Sequence, residues 1–292
     1  MNRRDYCQAS LAVLSQVMFA KAGFGGATRE DEALSERPFT LRFSITLTNH
    51  HGHELLDQTF WFHAPAETPG QKLESVSATI PHEVESDFFG QRIVKLQIKP
   101  VPPLATRVVN ISFNVVIRSV SNRTSLPRPA DWMKSESGIS VDDPETRALA
   151  SGLRRSSDLG TGEAIFDWLR SNLRSTGYRA DRGDAQAALH RGGGDCSDYA
   201  YLAVALARAN GIPARAVGGY AIDGSALLRA VDYHDWAELF IDGAWQLLDA
   251  QRGYWRTART AFVAFHFYHE SGVFSSTKDS RYKTIGELDI TY

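Results

Sequence analysis

A cysteine, a histidine and an aspartate in one site can make and break an acyl bond. The thiolate attacks a carbonyl carbon, the imidazole moves the proton and the carboxylate orients the imidazole. The chain has two cysteines among 292 residues, and Cys196 stands where such chemistry is available. It follows Gly192, Gly193, Gly194 and Asp195 in GGGDCSDYAYLAVALARANGIPARAVGGY. Asp195 is a good N-cap, and Asp198 stands three residues on, where a capping-box partner belongs. Tyr199, Leu202, Ala203, Leu206 and Ala207 then recur at helical steps, and Gly211 and Pro213 end the run. The pattern predicts a buried helix with Cys196 in its first turn. There the macrodipole and the backbone N–H groups favour the thiolate and offer donors to an oxyanion. Asp195 and Asp198 oppose that effect, so the thiol needs a positive partner. The glycines are expected to let a substrate backbone approach closely.

Hairpin arithmetic supplies the partner. In HDWAELFIDGAWQLLDA, Asp242-Gly243 is a strongly hairpin-forming two-residue turn. It pairs Ile241 with Ala244, Phe240 with Trp245, Glu238 with Leu247 and Trp236 with Asp249. Side chains alternate faces, so His234, Trp236 and Asp249 share one face. Asp249 lies diagonal to His234 at about 7 to 8 Å between backbone positions, a gap that side chains bridge. If the Cys196 helix packs on that face, the three residues form a nucleophile, a general acid/base and an orienter. Asp235, the competing carboxylate, is turned to the opposite face. Each residue alone has a plainer reading, as a buried thiol, a sheet histidine and a strand-ending acid; their conjunction carries the expectation.

These residues need a scaffold, and the composition allows one. With 43% hydrophobic and 23% charged residues, the chain is an ordinary globular sequence of one or two domains. A net charge of −2 excludes the basic excess that nucleic acid binding requires. Phe39, Leu41, Phe43, Ile45 and Leu47 alternate with polar residues; so do Val94, Leu96 and Ile98, and Val109, Ile111, Phe113, Val115 and Ile117. Such period-two runs predict antiparallel strands with one buried face, a β-sandwich over residues 36–120. A linker over 121–143, with Pro127 and Pro129, leads to an α+β domain over 144–292, helices first. Asp143 and Pro144 start one helix, and a second begins at Thr161 with Ile165, Trp168, Leu169 and Leu173 on one face. AFVAFHFYHE reads as a further strand with His266 and His269 structural. His50, His51 and His53 sit in a polar turn without a cysteine or acidic cluster at ligand spacing, so no metal or cofactor is expected.

Residues 1–22 read as an address label. Arg3-Arg4, a mildly apolar stretch from Ala9 to Ala20 and Ala20-Lys21-Ala22 resemble a twin-arginine export signal. The stretch is too short to span a hydrocarbon core of ~30 Å, so no integral membrane segment is expected after cleavage. Cleavage after Ala22 would remove Cys7 and leave Cys196 alone. The expected location is periplasmic or secreted; the alternative is cytoplasmic, with Leu11, Leu14, Val17 and Met18 on a short amphipathic helix.

The segment from Gly160 to Tyr254, about a third of the chain, resembles the bacterial transglutaminase-like superfamily. It carries a Gly-x-Cys helix start, an Arg-x-x-Gly-Ile-Pro-Ala-Arg turn, a His-x-Trp-x-Glu strand and a closing Asp, in that order. The resemblance implies a papain-like α+β fold in rearranged order, with Cys196 the nucleophile, His234 the base and Asp249 the orienter. The β-domain resembles the N-terminal domains that such proteins carry. The calcium-site pattern of the animal crosslinking enzymes is missing, so no metal dependence is implied. The upstream oxyanion donor is not identifiable; Tyr178 and Trp168 are candidates. The implied function is a thiol-dependent hydrolase or acyltransferase on a peptide or amide carbonyl, with hydrolysis slightly favoured. A protein or peptide, including one of the cell envelope, would be the substrate. The alternative is a non-catalytic peptide-binding module.

Overall fold

The computed structural model describes residues 36–118, 128–178, 183–258, 260–269 and 282–291. The expected export signal over 1–22 and part of the expected linker, 121–127, lie outside the described residues. In strand β1 (Glu36–Thr48) the alternation is realised: Phe39, Leu41, Phe43, Ile45 and Leu47 are all buried. β2 (Gln58–Ala64), β3 (Gln71–Ala78), β4 (His82–Ser86), β5 (Arg92–Ile98) and β6 (Thr106–Arg118) follow. β1 and β6 pair antiparallel along their full length, with β3 on the other edge of β6. β2, β5 and β4 form a second sheet. The inner faces of the two sheets bury Phe43, Phe60, Phe62, Leu96 and Phe113 in one core.

The helical region follows. Asp143 caps α1 (Pro144–Leu153), accepting the N–H groups of Glu145 and Thr146. The next helix, α2 (Asp158–Asn172), starts three residues before the expected Thr161, because the Ser157 side chain accepts the Gly160 N–H and makes an earlier cap. β7 (Arg174–Ser175), α3 (Ala185–Arg191), β8 (Gly193–Gly194) and α4 (Cys196–Ala209) come next, with β7 and β8 paired in parallel. A third sheet then forms from β9 (Ala214–Ile222), β11 (Tyr233–Ile241), β12 (Ala244–Asp249), β13 (Tyr254–Trp255) and β14 (Ala261–Phe267), in the order β13-β12-β11-β9-β14. α4 packs on this sheet over Ala214, Ala216, Ala237, Leu239 and Ile241.

Three short strands from the second half cross to the first two sheets. β10 (Ala226–Leu227) and β16 (Asp289–Thr291) pair with β1, and β15 (Tyr282–Ile285) pairs with β2. The sandwich expected over 36–120 therefore draws strands from beyond residue 143 as well. Strands of two to four residues carry no readable period, so the sequence could not announce them. Tyr220, Ile222, Val263 and Phe265 of the third sheet join the sandwich core, and the described residues form one compact unit. Among the described residues no helix is long and apolar enough to cross a membrane.

Phe43 sits at the join, its ring within 4.7–5.9 Å of Phe62, Phe113, Tyr220 and Phe265. Phe43→Ala should lower the unfolding free energy by about 3–5 kcal/mol. Urea unfolding followed by circular dichroism and by tryptophan fluorescence should give coincident transitions that move together. A transition that splits, with one half at its original midpoint, would contradict the shared core.

Candidate active site

The helix start is built as its sequence requires. Asp195 Oδ1 accepts the N–H groups of Ser197 at 3.1 Å and Asp198 at 3.3 Å, while Asp198 Oδ2 accepts the Asp195 N–H at 3.2 Å. This is a capping box with Asp in place of the usual Glu. The buried Asp198 carboxylate also accepts from the Asp184 N–H and the Arg191 guanidinium, each at 3.0 Å. Two of the glycines are required by this knot. A Cβ on Gly193 would stand 2.4 Å from the Arg174 carbonyl oxygen, and one on Gly194 would stand 2.2 Å from the Asp198 carboxylate.

Cys196 Sγ lies 3.8 Å from Asp235 Oδ2, and Asp235 Oδ1 accepts the Tyr268 hydroxyl at 2.9 Å. This overturns one expectation. α4 does not pack on the His234 and Trp236 face; it packs on the face of Asp235, Ala237, Leu239 and Ile241. Small and aliphatic side chains there admit a helix. The other face is filled by Trp236, Trp132 and Phe267. The carboxylate that period two turned away is thus the one beside the sulfur. The apolar run at 237, 239 and 241 was the sequence signal that pointed to this.

The electrostatics follow. Burial, and after it the Asp235 carboxylate, push the Cys196 thiol well above its ordinary pKa, and Asp195 adds to the effect. The Asp235 and Ser197 backbone N–H groups act in the opposite direction and lose. The first-turn thiolate expected from the sequence is therefore disfavoured, first by burial and then by the two carboxylates. Burial, followed by Asp235, likewise holds the Tyr268 phenol protonated, so it remains a donor.

His234 and Asp249 meet. Their Nε2 and Oδ2 atoms are 2.7 Å apart and both side chains are buried, at 4% and 2% exposure. The hairpin has the expected register, from Ile241↔Ala244 to Ala237↔Leu248. The second Asp249 oxygen accepts the Arg252 N–H at 3.0 Å. Trp236 and Phe262 flank the imidazole, each at 6.5 Å between ring centroids. With Nε2 engaged, Nδ1 is the nitrogen turned away from the carboxylate. The Cys196 sulfur lies against Asp235, the residue that follows His234 in β11.

Two arginines and a glutamate of the spaced elements are structural. Arg215 Nη2 reaches Glu238 Oε2 at 2.6 Å, with its guanidinium over Trp245 and Phe267, and Trp236 Nε1 donates to Glu238 at 3.3 Å. Arg208 donates to the Ala214 carbonyl and to Glu136, pinning the end of α4. His266 stacks on His63 at 4.3 Å, and burial holds it neutral. His269 lies against Asp131 and Glu136. Of the two oxyanion candidates, Tyr178 is 80% exposed and Trp168 packs on the helical core.

Residues 147–250, which hold Cys196, His234 and Asp249, match the family model of the transglutaminase-like superfamily. This segment is a transglutaminase-like domain. The whole fold is similar to that of a Cytophaga hutchinsonii protein named as a candidate cysteine protease. The two are 20% identical with a TM-score of 0.63, covering 89% of this chain and 90% of the other. A periplasmic domain of TgpA from Pseudomonas aeruginosa is 18% identical, with a TM-score of 0.39 over 71% of this chain and 73% of that one. No curated protein matches the chain.

Within the transglutaminase-like domain, replacing Asp235 by Asn should move the pH at which Cys196 reacts with iodoacetamide downward, since the carboxylate opposes the thiolate. Rates of alkylation across a pH series measure it. An unchanged or higher midpoint would show that Asp235 does not govern the thiol.

Proposed function

We propose that the chain is a thiol-dependent enzyme acting on a peptide or amide carbonyl, with Cys196 as nucleophile, His234 as general acid/base and Asp249 as orienter. The observation that carries the reading is the buried 2.7 Å bond between His234 and Asp249, with a helix-start thiol lying against the next residue, Asp235. In the proposed reaction His234 Nδ1 takes the thiol proton as Sγ attacks the carbonyl carbon. Asp249 stays ionised and steadies the imidazolium. The Cys196 backbone N–H, which the Asp195 cap does not use, is a donor for the oxyanion. When the tetrahedral intermediate collapses, the carbon–nitrogen bond breaks, His234 returns the proton to the leaving amine and the acyl group stays on sulfur. Water or a second amine, deprotonated by His234, then releases it. Hydrolysis is the favoured outcome, because transfer needs a second site that positions an amine and limits water. The twin-arginine-like pattern at Arg3-Arg4 supports a periplasmic or secreted location and a protein or peptide substrate there.

One observation favours a second reading, a non-catalytic peptide-binding module: the Cys196 sulfur lies 3.8 Å from the Asp235 carboxylate, which opposes a thiolate there. Incubation with a peptide library, with and without a labelled primary amine, separates the readings. Cleavage is expected, reduced at least ~10³-fold in both Cys196→Ala and His234→Ala. Incorporation of the amine in place of cleavage would reject the hydrolase preference. Silence in both assays would favour the binding module.

A further inference from the structure

The sequence gives His50, His51 and His53 no cysteine or acidic cluster at ligand spacing, but the fold brings a carboxylate to them from the far end of the chain. The turn after β1 is fixed by Asn49, which is fully buried. Its Nδ2 donates to the carbonyls of His53, Val101 and Pro102 at 2.9–3.0 Å, and its Oδ1 accepts the His51 N–H at 2.8 Å. One side chain thereby sets the backbone of both His51 and His53. Opposite, the loop between β15 and β16 is fixed by the buried Gln58, whose Oε1 accepts the Glu287 N–H at 2.9 Å. Gly286 adopts a φ of 124°, and a Cβ there would fall 1.8 Å from Gln58 Oε1, so this approach requires glycine.

Between these two anchored backbones stand two imidazoles and a carboxylate. The ligand atoms of His51, His53 and Glu287 all lie within 4.8 Å of one another. His51 Nε2 is 3.4 Å from Glu287 Oε2, and the two imidazole rings lie side by side at 5.2 Å. That N···O separation is longer than the ~2.9–3.0 Å usual for an N–H···O hydrogen bond. It matches the spacing of about 3.3–3.5 Å between neighbouring ligand atoms of a tetrahedral zinc ion with bonds of about 2.0–2.2 Å. Two imidazoles with one carboxylate suit a borderline divalent ion such as zinc; magnesium and calcium prefer oxygen alone. His51 and Glu287 are 41% and 62% exposed, which leaves room for water in the remaining position.

We propose that His51, His53 and Glu287 bind a divalent ion of the zinc class, which clasps the β15–β16 loop to the turn after β1. The clasp holds in place two strands of only four and three residues, and binding adds to the stability of the fold by mass action. The neighbouring pair His50 and Asp289, at 3.3 Å, provides a built-in control.

The test is titration of Zn²⁺ into the full chain carrying Cys7→Ser and Cys196→Ser, so that thiols do not compete, followed by calorimetry and thermal unfolding. One equivalent should bind with a micromolar Kd and raise Tm, and Mg²⁺ should do neither. His53→Ala and Glu287→Gln should each weaken binding at least ~10-fold and cancel the rise in Tm, whereas His50→Ala should change Kd by less than ~3-fold. The proposal is overturned by the absence of saturable binding, by binding that both variants leave intact, or by equal loss in His50→Ala.

Discussion

The arrangement of the site depends on a two-residue turn. Asp242 and Gly243 both take positive φ, 53° and 81°, the conformation whose twist matches an antiparallel pair. That turn fixes the register of β11 on β12, and the register puts Asp249 across from Trp236 and within 2.7 Å of His234. A slip of one residue would turn the Asp249 carboxylate into the helix-packed face, where it would be buried without the imidazole. The Arg252 N–H fastens the other carboxylate oxygen, so the carboxylate that holds the imidazole is itself fixed in orientation.

The thiol is set by a different kind of constraint. Burial, and after it the Asp235 carboxylate that lies against the sulfur, disfavour the thiolate more than the nearby backbone N–H groups favour it. In the proposed reaction the proton therefore leaves for His234 during attack and not before it. The peptide between His234 and Asp235 joins the two halves: one residue meets Asp249, and the next lies against the Cys196 sulfur.

What the sequence disclosed was local. The capping box at Asp195 and Asp198, the Asp242-Gly243 hairpin and the alternation of Phe39 to Leu47 each depend on residues a few positions apart, and each forms as read. What it hid was long-range. Which face of β11 receives α4 is decided by the whole packing of Ala214, Ala216, Ala237 and Leu239, so Asp235 was assigned to the right face and the wrong neighbourhood. β10, β15 and β16 are too short to show a period, and for that reason the meeting of Glu287 with His51 was illegible; the shared core around Phe43 joins β9 and β14 to the sandwich across distant segments of the chain. The three glycines invited a functional reading, but Gly193 and Gly194 are accounted for by close contacts with Arg174 and Asp198.

The central claim is that Cys196 carries an acyl group under the control of His234. Intact-mass analysis of the full chain, quenched in acid after brief exposure to an activated peptide ester, tests it most directly. The account predicts one acyl adduct, mapped to Cys196 by digestion and formed at least ~10²-fold more slowly in His234→Ala. An adduct on another residue, or one that forms on Cys196 at the same rate without His234, would contradict it.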